Sequence, residues 1–342
     1  MKKRIILIIM LALLLLLQGC DVAAPKPENT TPITIGATQS EPKYLFAVSP
    51  DTAEAAKIFC EKVWELSGNT LSIGVIEAAR PYYSLINSDA ALAFLTTREI
   101  QPYNDCLDVF HAPFTFRDYT HFTMSANYQT LLEIINSEMS SLHVSGGFYT
   151  GTSFFLATQS LDSQQDLLSL FFDEEHIPVA LTLPSSQIAG GLRRIGFEVV
   201  ETNSADTRLA QLTDTENQAV IAEFTARELV SSGEWLNSSL TFINAPHNFS
   251  AMWLTGSKSF YSELTPRQAA AVQEATSFLF PVLDESNLRD ESRIRMALTE
   301  EGYKISNLPD AFRTACNNAY YSAFEPSTLR DFALSQIVGI RR

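Results

Sequence analysis

The chain has 342 residues, 24 of them basic and 39 acidic, for a formal net charge of −15. An acid excess of that size excludes a nucleic-acid surface, which needs basic patches for phosphates, and broad adhesion to anionic lipid headgroups. The length, with 46% apolar residues, suits one two-lobed body or two domains with sizeable cores.

The N-terminus reads Met1-Lys2-Lys3-Arg4, then an apolar run from Ile5 to Leu17. A basic head and a short apolar stretch make a secretory signal peptide. The run is too short to span a membrane, which takes about 20 residues. Leu17-Gln18-Gly19-Cys20 closes it and resembles a bacterial lipobox. Residues 1–19 are therefore expected to be removed, and Cys20 to carry a lipid whose chains hold at about 0.8 kcal/mol per buried methylene. Loss of Lys2, Lys3 and Arg4 takes the net charge from −15 to −18. Residues 20–32 contain Pro25, Pro27 and Pro32 among polar residues and read as a tether.

Three further cysteines, Cys60, Cys106 and Cys316, form no CxxC, so neither a zinc ribbon nor a thioredoxin-type site is supported. An odd count leaves at least one thiol over. Cys60 falls on the apolar face of an expected helix and is expected to be buried and unpaired.

The body begins with a short strand at Ile33–Ile35. Ser49-Pro50-Asp51 opens a helix with Ala56, Phe59, Cys60, Val63 and Leu66 on one face, stopped by Ser67-Gly68-Asn69. A strand at Leu71–Ile76, a helix at Pro81–Asn87 and a buried strand at Ala90–Leu95 follow. After the irregular aromatic segment 109–118 come a helix at Tyr119–Ser140, strands at Leu142–Tyr149 and Ser153–Thr158, and a helix at Asp162–Leu170. A second alternating block runs through strands at Val179–Leu183, Phe197–Val200 and Ala219–Ala222, with helices at Ser185–Ile195 and Asp206–Leu212 between them. Strands return at Leu240–Asn244 and Ser250–Thr255. A long helix from Thr265 to about Leu298 and a helix at Ala311–Ala323 complete the pattern. Two alternating blocks joined by returning strands predict two α/β lobes with a hinge and a long C-terminal helix, closing around a ligand.

The ordered motifs resemble those of the solute-binding proteins of tripartite ATP-independent periplasmic (TRAP) transporters, the DctP-like family, over most of residues 33–325. They are Ala53–Leu66 leading into Ser67-Gly68-Asn69-Thr70-Leu71-Ser72-Ile73, the turn Asn87-Ser88-Asp89 before Ala90–Ala93, and Ala112-Pro113-Phe114-Thr115-Phe116-Arg117-Asp118-Tyr119. Further along come Gly191–Phe197, Asn217–Glu223 and Phe260–Pro266. The resemblance implies a periplasmic-binding-protein-like fold and a receptor that hands a small solute, commonly an organic acid, to a membrane permease without chemistry. It also implies no cofactor and no bound metal. The expected division is lobe I at 33–150 with the strands returning near 240–256, lobe II at 151–239, helices packing across the lobes at 257–325, and a tail at 326–342. The expected location is extracytoplasmic, anchored to the bacterial membrane.

In the family an arginine grips the ligand carboxylate. Counting forward from Asp166 puts Asp173 at that position; counting back from Gly196 puts Leu181 there. A second family arginine falls near Thr152 or Ser153. None of these is basic, so another basic residue substitutes, or the ligand is neutral or cationic, or the chain is a divergent member. The candidate ligand residues are Thr97, Arg98, Phe116, Tyr149, Thr152, Leu181, Glu223 and Trp253. Each has a structural alternative: a solvated or lobe-locking Arg98, core packing for Phe116 and Trp253, hinge support for Glu223. A structural or sensory lipoprotein on the same fold is the second reading. A hydrolase is the third, and it has no support in motifs: the five histidines are scattered, and neither HExxH nor GxSxG occurs.

Overall fold

The computed structural model describes residues 42–171, 176–214, 219–232, 234–237, 239–300 and 302–340. Cys20 with its lipobox, the expected strand Ile33–Ile35, and Asp173 lie outside the described residues. Contacts divide the chain into Met1–Pro32 and Ile33–Arg342, and the elements below belong to the second unit.

In chain order these are β1 (Tyr44–Val48), α1 (Ala53–Leu66), β2 (Ile73–Glu77), α2 (Pro81–Ile86), β3 (Leu92–Thr96), α3 (Thr97–Ile100), α4 (Tyr119–Ala126) and α5 (Gln129–Glu138). The long β4 (Leu142–Ala157) leads to α6 (Gln164–Ser169), β5 (Val179–Thr182), α7 (Ala189–Ile195), β6 (Glu198–Glu201), α8 (Ala205–Thr213), β7 (Ala219–Thr225) and α9 (Ala226–Ser232). The chain returns along β8 (Thr241–Ser257) to α10 (Lys258–Glu263), α11 (Pro266–Glu300), β9 (Ile305–Ser306), α12 (Asp310–Tyr321) and α13 (Thr328–Gly339).

Among the described residues one sheet runs in the order β2-β1-β3-β8-β4-β7-β5-β6, with β9 beside β8. β4 and β8 are its antiparallel spine, paired from Leu142↔Ser257 to Ala157↔Thr241. Lobe I hangs on the outer edge of β8, where β3 pairs with Met252–Gly256. Lobe II hangs on the opposite edge of β4, where β7 pairs with Ser153–Ala157. The fold is thus an α/β body of two lobes on a two-stranded hinge.

Each spine strand had been expected as two pieces. Gly146 and Gly151 are the reason β4 is continuous: their φ values of 147° and 146° suit glycine, and each follows a register shift that bends the ladder without ending it. In β8, Pro246 falls in a stretch between paired residues Ile243 and Asn248, so its missing N–H costs no ladder bond. The helix expected over Tyr119–Ser140 breaks after Ala126, because Asn127 turns its amide to the carbonyl of Gly147 at 2.8 Å.

Each lobe's half of the sheet is covered on both faces by apolar side chains. In lobe I, α1 and the first part of α11 pack on one face through Phe59, Val63, Val272 and Phe280. The other face takes Phe110, Phe122, Leu131 and Ile337. In lobe II, Ile294 and Leu298 of α11 join Leu209 and Trp235 on one face, and Leu192 and Phe312 join Phe155 on the other. Gly191 permits the contact of α7 with α12, since a β-carbon there would lie 2.5 Å from the backbone of Cys316. Cys60, Cys106 and Cys316 are free, buried and held in three different clusters. No helix among the described residues is long and apolar enough to cross a membrane.

The stretch expected as a tail carries α13, which docks on lobe I. Arg330 places its guanidinium on the Asp108 carboxylate at 2.6 and 2.7 Å, Gln101 donates to the other oxygen at 2.6 Å, and both charged side chains are under a tenth exposed. Removing one partner of a buried pair strands the other charge. Asp108→Ala is expected to lower stability by about 3–5 kcal/mol in urea unfolding. The double change Asp108→Leu with Arg330→Met recovers most of the loss, and Lys43→Ala at an exposed pair leaves the midpoint in place.

Candidate functional site

Between Ile243 and Met252 neither β9 nor β3 pairs with β8. The aromatic segment after β3 takes that edge instead: the N–H of Phe114 donates to the carbonyl of His247 at 3.0 Å. Phe114 holds a φ of 60°, an uncommon conformation for a side-chain-bearing residue and a sign that the surrounding structure imposes it. Its ring lies against His247 and Phe312, and the Arg313 guanidinium sits 5.9 Å from its centroid.

Here a cavity of about 470 Å³ lies beside the open edge of β8. Its wall comes from Phe114, Phe116, Arg117, Asp118 and Tyr119 of lobe I, from Asn244, Pro246 and Phe249 of β8, from Leu288, Glu291 and Arg295 of α11, and from Arg313 of α12. Apolar walls with a few charged groups, at this volume, are the usual form of a small-molecule site. A larger groove of about 1030 Å³ lies between α4–α5 and α11; it takes no residue from β8 or α12.

Glu291 is 8% exposed and its Oε1 has no hydrogen-bond partner among the described residues; the same holds for Nε of Arg313. Burial raises the Glu291 carboxyl to about 7 against the pull of Arg295. Two turns earlier on α11, burial raises Asp284 to about 7, although Tyr119 donates to it and its Oδ1 accepts the Tyr149 N–H at 2.6 Å. Behind the Phe114 wall, Glu223 is fully buried and accepts from His247 Nε2 at 3.1 Å, Ser186 Oγ at 2.9 Å and the Leu183 N–H at 3.0 Å. Burial opposes its ionisation, but these donors prevail and hold its carboxyl below the ordinary value. No cluster of potential metal ligands occurs among the described residues.

Of the residues chosen from sequence, Phe116 lines the cavity; the others mostly brace the hinge. Thr97 accepts the indole N–H of the fully buried Trp253 at 2.9 Å. Thr152 donates to the carbonyl of Asn248 at 2.9 Å. Tyr149 is fully buried, with its backbone held by Asp284 and Asn287. Glu223 ties β7 to β5 and β8. Leu181 is 2% exposed inside the apolar core of lobe II. Arg98 is exposed and close enough to His111 to reinforce the effect of burial, which lowers that imidazole to about 4. Sequence reasoning missed Phe114, Asn244, Glu291, Arg295 and Arg313. Phe114 stood in a motif already singled out; the two arginines and Glu291 looked like ordinary polar positions of helices.

No protein-family model matches the chain, and no curated protein matches it in sequence. Solved structures do match. A TRAP periplasmic solute-binding protein from Rhodobacter sphaeroides, in an apo open structure, is 14% identical over 86% of this chain and 96% of its own, with a TM-score of 0.68. One from Xanthobacter autotrophicus Py2 with bound β-D-galacturonate is 15% identical over 87% and 100%, with a TM-score of 0.61. One from Roseobacter denitrificans with bound β-D-glucuronate is 15% identical over 86% and 98%, with a TM-score of 0.60. The chain has the fold of these periplasmic solute receptors.

The two raised carboxyls on α11 predict a pH dependence. Between their ordinary values of 3.8 and 4.5 and the folded values near 7, Asp284 and Glu291 hold protons that the unfolded chain has released. Their stabilisation is therefore complete below the ordinary values and is lost as pH rises through 7. The urea midpoint is expected to fall between about pH 5.5 and pH 8, and Glu291→Gln to flatten that fall by at least about 1 kcal/mol.

Proposed function

We propose that the chain is the extracytoplasmic solute-binding receptor of a TRAP-type transporter. It is lipid-anchored through Cys20, captures a small organic acid and delivers it to a membrane permease. The observation that supports this reading is the 470 Å³ cavity between the aromatic segment of lobe I, the open edge of β8 and the helices α11 and α12, lined by Arg117, Arg295 and Arg313. Neither residue that counting places at the family's arginine position, Asp173 or Leu181, is basic, and these three residues supply positive charge from other elements. A guanidinium matches a carboxylate with two parallel hydrogen bonds, which suits Arg313 to the ligand's acid group. Phe114, Phe116 and Tyr119 provide flat walls for the carbon skeleton, and Asn244 offers a donor and an acceptor to ligand hydroxyls. No step of bond chemistry is assigned. Lobes 33–150 and 151–239 are the moving bodies, and β4, β8 and α11 carry the hinge.

The test is thermal unfolding of the purified protein against uronates, dicarboxylates, hydroxy acids and amino acids, each beside a neutral analogue. A ligand that binds only the folded state adds about 2.7 kcal/mol at a hundredfold excess over Kd. One acid is expected to raise the midpoint where its neutral analogue does not, and Arg313→Gln is expected to abolish the rise without lowering the ligand-free midpoint. Silence across the panel from well-folded protein contradicts the receptor reading and favours a structural or sensory lipoprotein.

A further inference from the structure

The solute cavity holds two unsatisfied buried groups of opposite kind. Oε1 of Glu291, on α11, is an acceptor without a donor; Nε of Arg313, on α12, is a donor without an acceptor. Most buried polar atoms in folded proteins are paired, and an orphan at a cavity wall leaves a position open to a group of the cavity's occupant. The two do not satisfy each other, although both line the same cavity. Among the described residues no ion pair within 4 Å joins Glu291 to Arg295 on its own helix or to Arg117 and Arg313 on the facing elements. Asp118 adds a second carboxylate to the wall. The lining thus carries three cationic and two acidic side chains, a dipolar surface rather than a purely cationic one.

We propose that the solute is a zwitterion, with its carboxylate on Arg313 and its ammonium group on Glu291. This rests on the receptor reading and narrows its ligand class. A simple carboxylic acid satisfies Arg313 and leaves Glu291 orphaned, and it adds a negative charge to a cavity whose buried carboxyl already resists ionisation. An ammonium group reverses that: it supplies the donor that Oε1 lacks and stabilises Glu291 as the anion. Binding near pH 7 therefore releases the proton that Glu291 holds in the free protein. The titratable and charged groups facing Glu291 are Arg295 beside it, Arg117, Asp118 and Tyr119 from lobe I, and Arg313 from α12.

The experiment is calorimetric titration of the purified protein with matched trios: phenylalanine, 3-phenylpropionate and phenethylamine, and likewise norleucine, hexanoate and pentylamine. Each is run in two buffers of different ionisation enthalpy. At least one zwitterion is expected to bind about tenfold or more tightly than both of its single-charge relatives. Proton release is expected to accompany it and to vanish in Glu291→Gln, with the preference over the des-amino acid lost. Des-amino acids that bind as tightly as the amino acids, or a preference and proton release unchanged in Glu291→Gln, overturn the proposal. So does binding of a uronate or dicarboxylate by protein that ignores every zwitterion, an outcome that leaves the receptor reading intact.

Discussion

Two strands carry the whole molecule. β4 and β8 run antiparallel through both lobes, and the parallel strands of each lobe attach to opposite edges of that ribbon. A two-stranded ribbon is weak by itself, so its middle needs bracing. Asp284 and Asn287 of α11 take the N–H and C=O of Tyr149; Thr152 bonds across to Asn248; Trp253 is pinned to Thr97; Glu223 and His247 lock β7 to β8. Among the described residues the stretch of β8 between Ile243 and Met252 has no strand on its outer side, so that edge is open to Phe114 and the cavity it walls. Hinge and cavity thus arise from one topological fact.

The electrostatics have the same local character. The chain is acidic overall, at −15, yet three arginines line one concave site. Apolar walls of Phe114, Phe116 and Phe249 lower the local dielectric and strengthen the field felt by a ligand there. The same burial makes ionised Glu291 costly. The site is in this way poised to respond to the charge of what enters it.

Much of the fold was legible in the sequence. Alternating apolar blocks gave the parallel strands of both lobes, and Pro266 with its long apolar period gave α11. Both spine strands were read as pairs of shorter ones, because Gly151 and Pro246 signal interruption locally and only the partner strand shows that they are bulges. α13 was read as tail because Arg330, its anchor, gains meaning only beside Asp108, more than two hundred residues earlier. The site was the least legible part. Thr97, Thr152, Tyr149, Glu223 and Trp253 are near the hinge but turned into its packing. Arg295 and Arg313 reach the cavity from helices whose relative placement no local pattern encodes.

The central claim is that the solute sits in the cavity walled by Phe114, against Arg313 and Glu291. A crystal structure of the protein grown with the acid that gives the largest thermal shift tests it most directly. The account predicts density for one molecule inside the cavity walled by Phe114, with its carboxylate within hydrogen-bond distance of the Arg313 guanidinium. Density in the groove between α4–α5 and α11, or at the ends of β5 and β7 beside Ser186 with the Phe114 cavity empty, would contradict it.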